Sequence, residues 1–274
     1  MKKALALLLV CIAVFSLAAC GSQPATPSNE PTVTDEPKDL LATIQERGYL
    51  VIATEGDWSP WTYHDEAGTL TGLDVEIGKL IAEGLGVEAR FEETDWDSIL
   101  AGVDSGRFDI ACNGVGYTET RAEKYDFSTP YVYTHKVLVV RGDNEEIKTV
   151  EDLEGKTTAN TASSTYAALA EEYGATVTPV NTLSETIELL TNGRVDATIN
   201  AQVSIEDYLS QHPDANIKIV QVLPGDPVAY PMTKGANSAT LVAAVNDILQ
   251  DLRDSGKLAD ISKEFFGLDL TQPD

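Results

Sequence analysis

From residue 40 onward the apolar positions switch repeatedly between two periods. In GLDVEIGKLIAEGLG, Leu73, Ile77, Leu80, Ile81 and Leu85 recur at the three- and four-residue spacing of one helix face, and Gly84 and Gly86 close the element. On either side, YLVIATEG and VEARFEE read as strands. The same alternation continues through WDSILAGVDSG (helix), RFDIACNG (strand) and YVYTHKVLVVR (long strand). It resumes with TVEDLEG (short helix), KTTANTA (strand), SSTYAALAEEYG (helix), ATVTPV (strand), LSETIELLTNG (helix) and RVDATINA (strand). VSIEDYLSQH is a predicted helix, NIKIVQVL and PVAYPMTK are predicted strands, and the chain ends in two helices. Alternation of this kind predicts an α/β protein with mostly parallel sheets.

An internal echo sharpens the picture. GRFDIACN (106–113) and GRVDATIN (193–200) share Gly-Arg-x-Asp, an apolar run and a closing Asn, and each follows a helix that ends at a glycine. Two similar α/β lobes would each place such a strand end at a shared cleft, because ligands in open α/β sheets sit beyond the carboxyl ends of strands. Asn113 and Asn200 are therefore expected at the cleft mouth, one from each lobe.

Before residue 40 the pattern is different. MKK followed by ALALLLVCIAVFSLAA has the charged and apolar parts of a signal peptide, and the apolar run is short for a spanning helix. It ends in LAAC, which resembles the lipobox of bacterial lipoproteins and would make Cys20 the lipidated first residue of the mature chain. Residues 21–39 are rich in Pro, Ser and Thr without apolar periodicity, as expected of a disordered tether. Acyl chains contributing about 0.8 kcal/mol per buried methylene can hold such a protein on a membrane.

The 274 residues carry a net charge of −25, and loss of Lys2 and Lys3 with the leader deepens the imbalance. Nucleic-acid binding would require a basic patch and is excluded on this ground. With Cys11 in the leader and Cys20 lipidated, Cys112 remains without a partner for an internal disulfide. Its apolar strand marks it as a core residue. The sequence holds three His residues, His64, His135 and His212, and two of them sit in turn-like segments. No nucleophile–base pair and no metal-ligand cluster emerges, so neither a cofactor nor a metal is expected.

One cation stands out against this acidic background. In TETRAEKYDFSTPY (118–131), Thr118 has the character of a helix N-cap, which puts Arg121 in the first turn. A cation is misplaced there, since a helix N-terminus already carries partial positive charge. It makes sense as half of an anion site that also uses the helix end.

The stretches GYLVIATEGDWSPWTYHDEAGTLTGLDVEIGKLIAEGLGV, WDSILAGVDSGRFDIACN, TETRAEKYDFSTPY, EDLEGK through SST, LTNGRVDA and VNDILQDLRDSGKLADISKEFFG together resemble bacterial extracellular solute-binding proteins of family 3, the polar amino-acid receptors of ABC importers. WDSIL with RAEKYDFSTPY is most similar to cystine-binding members. The resemblance implies a two-lobed periplasmic-binding-protein-like (type II) fold with two crossing hinge strands, lobe 1 being 40–133 and 226–274 and lobe 2 being 134–225. It further implies that Arg121 grips the ligand's α-carboxylate, and that Ser163, Ser164 and Thr165 supply further donors from lobe 2. Trp58 and Trp96 would wall the ligand side chain, and Glu55 would read it, with Asp57 nearby.

Two positions depart from the family pattern. Ala201 stands where many members carry the Asp that binds the ligand's ammonium, and Gly116 stands where many carry Ser or Thr. An ammonium left unpaired in a closed cleft costs several kcal/mol. The carbonyl of Gly114, helped by Asn200, Gln202 or a nearby acid, is the expected substitute.

The function implied is that of a lipid-anchored, extracytoplasmic monomer that captures an amino acid and delivers it to a membrane permease. A ligand sensor signalling to a membrane partner would share this chemistry. A cyclohexadienyl-dehydratase-like enzyme would need a placed general acid, for which Glu119 and Glu55 are the candidates.

Overall fold

A computed structural model describes residues 38–273. The leader, Cys20 and nearly all of the tether lie outside the described residues. Two five-stranded sheets with their helices form two lobes, as the alternating periods predict. In spatial order the first sheet contains Glu88–Glu93, Tyr49–Thr54, Ile110–Ala111, Pro231–Thr233 and Tyr125–Phe127. Its first three strands are parallel, and the last two joins are antiparallel. The second sheet orders Thr176–Pro179, Thr157–Asn160, Ala197–Ala201, Val132–Arg141 and Ile217–Val228, with the last two joins antiparallel.

Both sheets are covered on both faces. In the second, consecutive residues of Val132–Arg141 divide between two cores. Leu138 and Val140 join Ala170 and Ile199, while Val137 and Val139 join Ile187, Leu190 and Ile205. That division follows from the two-residue period of a strand. In the first lobe, Ile52 and Ile110 pack with Ile77 and Ile81 of the helix Leu73–Gly84 and with Val245 and Leu258 of the two C-terminal helices. Ala53 and Ala111 face Ile99 and Val103 of the helix Trp96–Asp104. Cys112 is fully buried, and burial pushes its thiol pKa well up.

Val132–Arg141 and Ile217–Val228 run antiparallel from one lobe into the other, with Val132 opposite Val228 and Lys136 opposite Leu223. The segment around Pro224 and Gly225, which reads as a break between two strands, is instead spanned by one strand with a register shift between Leu223 and Gly225. A bulge can accommodate a proline that has no N–H to donate.

At the first-lobe ends of these crossing strands, Tyr131 and Tyr230 stack with ring centroids 4.1 Å apart. Both hydroxyls donate to Asp74 Oδ1, at 2.6 and 3.0 Å, and the Gly114 N–H donates to Asp74 Oδ2. Burial raises the Asp74 pKa to about 6, against the pull of these three donors. Asp74 thus ties both crossing strands to the segment that enters the cleft.

Candidate functional site

A cleft enclosing about 790 Å³ of space, its open mouth included, lies where the two sheets' strand ends meet. Arg121 projects into it from the four-residue helix Glu119–Ala122. Thr118 is the N-cap, its hydroxyl accepting from the Arg121 N–H at 3.1 Å. That backbone donor is therefore already used, and the side chain carries the anion-binding capacity. Its Nη1 donates to the Gly116 carbonyl at 2.9 Å, its Nη2 donates to the Ser163 carbonyl at 3.3 Å, and its guanidinium carbon lies 5.3 Å from the Trp96 ring centroid. Gly116 belongs to the first lobe and Ser163 to the second, so the guanidinium is steadied from both sides. Burial lowers its pKa, but a guanidinium remains charged throughout the physiological range.

Trp58 and Trp96 line the cleft while each remains more than nine-tenths buried, deeper than their polar sequence surroundings imply. Trp58 stacks on Trp61 at 5.4 Å, and Trp61 meets the edge of Phe266. Gly114 sits against this pair at φ +57°, where a Cβ would stand 2.7 Å from the Trp58 ring. The position accepts only glycine on both counts.

Glu55 lines the same wall. Its Oε2 accepts from Asn113 Nδ2 at 2.6 Å, and its backbone N–H donates to Asn113 Oδ1 at 2.8 Å. Burial raises its pKa to about 7, opposed by the Asn113 bond and reinforced by Asp57, Asp95 and Asp97. Asp57 also lines the cleft, with its pKa raised by burial. From the second lobe come Ser164, Thr165 and Asn200. Ser164 caps the helix Thr165–Glu172 by accepting from the Ala167 N–H.

Four residues expected at the ligand do not line the cleft, among them Gln202, whose amide donates to Glu206 Oε1 at 2.6 Å. Asn113 is fully buried behind Glu55 and orients it. The Ser163 hydroxyl donates across the lobes to Asp97 Oδ1 at 2.5 Å, and its carbonyl meets Arg121. Ala201 is fully buried and belongs to the same apolar cluster as Trp61 and Val203.

Sequence reasoning missed Lys136 and Asp226, which line the cleft from the two crossing strands and pair at 2.6 Å. In PGDP, Asp226 reads as a turn residue. It missed Asn160 as well, a buried cleft residue whose Oδ1 has no partner among the described residues. The Trp96 indole N–H is likewise unpartnered there.

A two-lobed α/β protein with a charged interlobe cleft is the architecture of a solute receptor. The chain belongs to the bacterial extracellular solute-binding proteins, family 3, whose model matches residues 50–268. It is 38% identical to the L-cystine-binding protein TcyA of Bacillus subtilis, over 99% of this chain and all of that one. It is 32% identical to the L-cystine-binding protein TcyJ of Escherichia coli K12, over 85% of this chain and 88% of the relative. An ancestral arginine-binding protein bound to arginine overlays with a TM-score of 0.75 at 33% identity, covering 81% of this chain and 99% of that one. The L-cystine solute receptor of Neisseria gonorrhoeae, unliganded and open, overlays with a TM-score of 0.57 at 36% identity, covering 85% and 99%. A poorer overlay on an open receptor at higher identity is what a closed cleft produces, and the cross-lobe bonds of Ser163 agree with closure.

Proposed function

We propose that this protein is the lipid-anchored receptor of an amino-acid ABC importer, holding a polar amino acid by its carboxylate between the lobes and presenting the closed form to a membrane permease. The observation that carries this reading is Arg121. Two of its five N–H donors are tied to backbone carbonyls, which fixes the fork and leaves three donors for a carboxylate in a water-poor cleft. Trp58 and Trp96 supply rigid apolar plates for the side chain, and Ser164 and Thr165 add donors from the opposite lobe. Lobe 1 is 40–133 with 226–274, lobe 2 is 134–225, and the crossing strands form the hinge. Lipidation of Cys20 and the tether after it keep the receptor at the membrane.

Relatives named for L-cystine make that amino acid the first ligand to try. A thermal-shift screen against amino acids and small sulfur compounds, followed by titration calorimetry, tests the reading. Stabilisation by at least one amino acid is expected, with L-cystine leading. A screen in which no amino acid shifts the melting temperature overturns it.

A further inference from the structure

The two departures from the family pattern, Gly116 and Ala201, remove groups that would otherwise meet the ligand's amine. The fold supplies an acid by another route. The strand Ile217–Val228 reaches past the second sheet and runs beside the segment that precedes Arg121. Gly116 bridges Val228, and the Tyr117 N–H donates to the Pro227 carbonyl at 2.8 Å. This pairing sets Asp226 against Gly116. A Cβ on Gly116 would stand 4.0 Å from Arg121 Nη1 and 4.0 Å from Asp226 Oδ2. The point that the missing side chain leaves open is thus flanked by a guanidinium on one side and a carboxylate on the other.

We propose that Asp226, on the second crossing strand, accepts the ammonium of a ligand whose carboxylate Arg121 holds, in place of the acid absent at Ala201. The inference rests on the amino-acid reading above and adds that the ligand carries a free α-amine. An α-amino acid bears both groups on one carbon, so the acceptor must stand close to Arg121. Three acids line the cleft. Glu55 is bound to Asn113 along the tryptophan wall, and Asp57 lies on the exposed hairpin beside it. Asp226 alone shares the Gly116 position with Arg121.

The register explains how the acid moved. Ala201 is opposite Lys136 in the second sheet, so an acid at 201 would have stood beside this lysine. Lys136 instead pairs with Asp226, and both remain partly accessible from the cleft. The lysine neutralises the acid when no amine is present. The pair is made through Asp226 Oδ2, and a carboxylate has further acceptor sites for a new donor. An ammonium has three N–H groups to satisfy, so further acceptors beside Asp226 are required. Glycine at 116 belongs to the same change: a hydroxyl side chain there would fill the space between Arg121 and Asp226.

The test is calorimetry with L-cystine and with dithiodipropionate, which is cystine without its two amines, on the parent, Asp226→Asn and Asp226→Asn/Lys136→Met. If the screen identifies a different amino acid, that acid and its desamino counterpart take their place. Asp226→Asn is expected to weaken the amino acid roughly thirtyfold, in the range of losing one partner of a desolvated charge pair. The loss should exceed that for the desamino acid by about tenfold. The double variant leaves no unpaired lysine and should show the same selective loss. Equal losses for the two ligands would make Asp226 a structural partner of Lys136 and overturn the proposal. A crystal structure of the complex decides independently: an amine within hydrogen-bond distance of Asp226 is expected, and an amine seated elsewhere refutes it. A parent that binds no amino acid at all defeats the amino-acid reading and this inference together. Binding that survives Asp226→Asn unchanged defeats this inference alone.

Discussion

Two parts of the cleft lining are built on opposite plans. In the first a cation, Arg121, has its fork fixed by carbonyls from both lobes, and Asp226 and Lys136 stand near it already paired. In the second an acid, Glu55, has an amide for a partner and further acids around it. The Arg121 guanidinium holds its charge at every physiological pH. Burial pushes the Glu55 carboxyl up to about 7. Under the proposed function the difference separates two tasks: Arg121 would recognise what all amino acids share, and Glu55 would respond to what distinguishes one from another.

The largest expected effect breaks the comparison at its first part. Arg121→Ala should cost about 2–5 kcal/mol of ligand binding, the usual loss for one partner of a desolvated charge pair. Calorimetry would detect it as a drop of more than an order of magnitude for every ligand that the parent binds. Near-unchanged affinity would remove Arg121 from the site. The tie to the Ser163 carbonyl would also be lost, so part of the effect belongs to closure.

A smaller effect sharpens the second part. The Glu55 pKa is raised from 4.5 to about 7, so between those values the folded protein binds a proton that the unfolded chain has released. Stability therefore falls as pH rises through that window, and the penalty is complete above it. Glu55→Gln keeps an oxygen for the Asn113 amide and carries no charge to desolvate. The variant should be more stable than the parent by roughly 1–3 kcal/mol near pH 8, with the gap closing near pH 4. Melting curves at the two pH values check this, and a variant that is less stable at both would show that Glu55 is not held at a cost. Ligand binding supplies the complementary measurement. A ligand with a cation beside Glu55 should bind the parent more tightly as pH rises through about 7, while its affinity for Glu55→Gln stays flat.

How much of this was legible in the sequence depended on whether a feature is local. Arg121 could be found because its oddity is contained in four residues: an N-cap, a first turn and a charge of the wrong sign for it. The layered α/β fold was legible for the same reason, since each element advertises its own period. The partners of Glu55 were not. Asn113 is 58 positions away, and its strand-end position suggests the cleft, yet the side chain turns back to fix the Glu55 carboxylate. Asp226 was hidden for two reasons. Pro224, Gly225 and Pro227 around it signal a turn, while the long partner Val132–Arg141 holds the segment in a bulged strand. Its closeness to Arg121 arises from a bridge between Gly116 and Val228, a pairing that no periodicity announces. Ala201 could be read as a missing acid but not as a packing residue, because its neighbour Trp61 comes from the other lobe.

The smallest expected effect belongs to neither part and tests whether they act separately from closure. The Trp61 indole N–H donates to Ser204 Oγ at 3.2 Å, and both residues are almost fully buried. Ser204 sits in the helix Gln202–Gln211 of the second lobe, whereas Trp61 lies behind Trp58 in the first. Under the proposed hinge, closure buries this bond and opening exposes both groups to water. Ser204→Ala leaves the indole N–H unpaired only when the cleft is shut, so it should disfavour the closed form by about 1 kcal/mol. Ligand can shift the lobes only by its differential affinity for the closed form, and every ligand meets the same handicap. The expected result is a loss of about fivefold that is equal for all ligands and independent of pH. An unequal loss, selective for one ligand's amine or side chain, would mean that the Trp61–Ser204 contact shapes one part of the cleft lining rather than its closing.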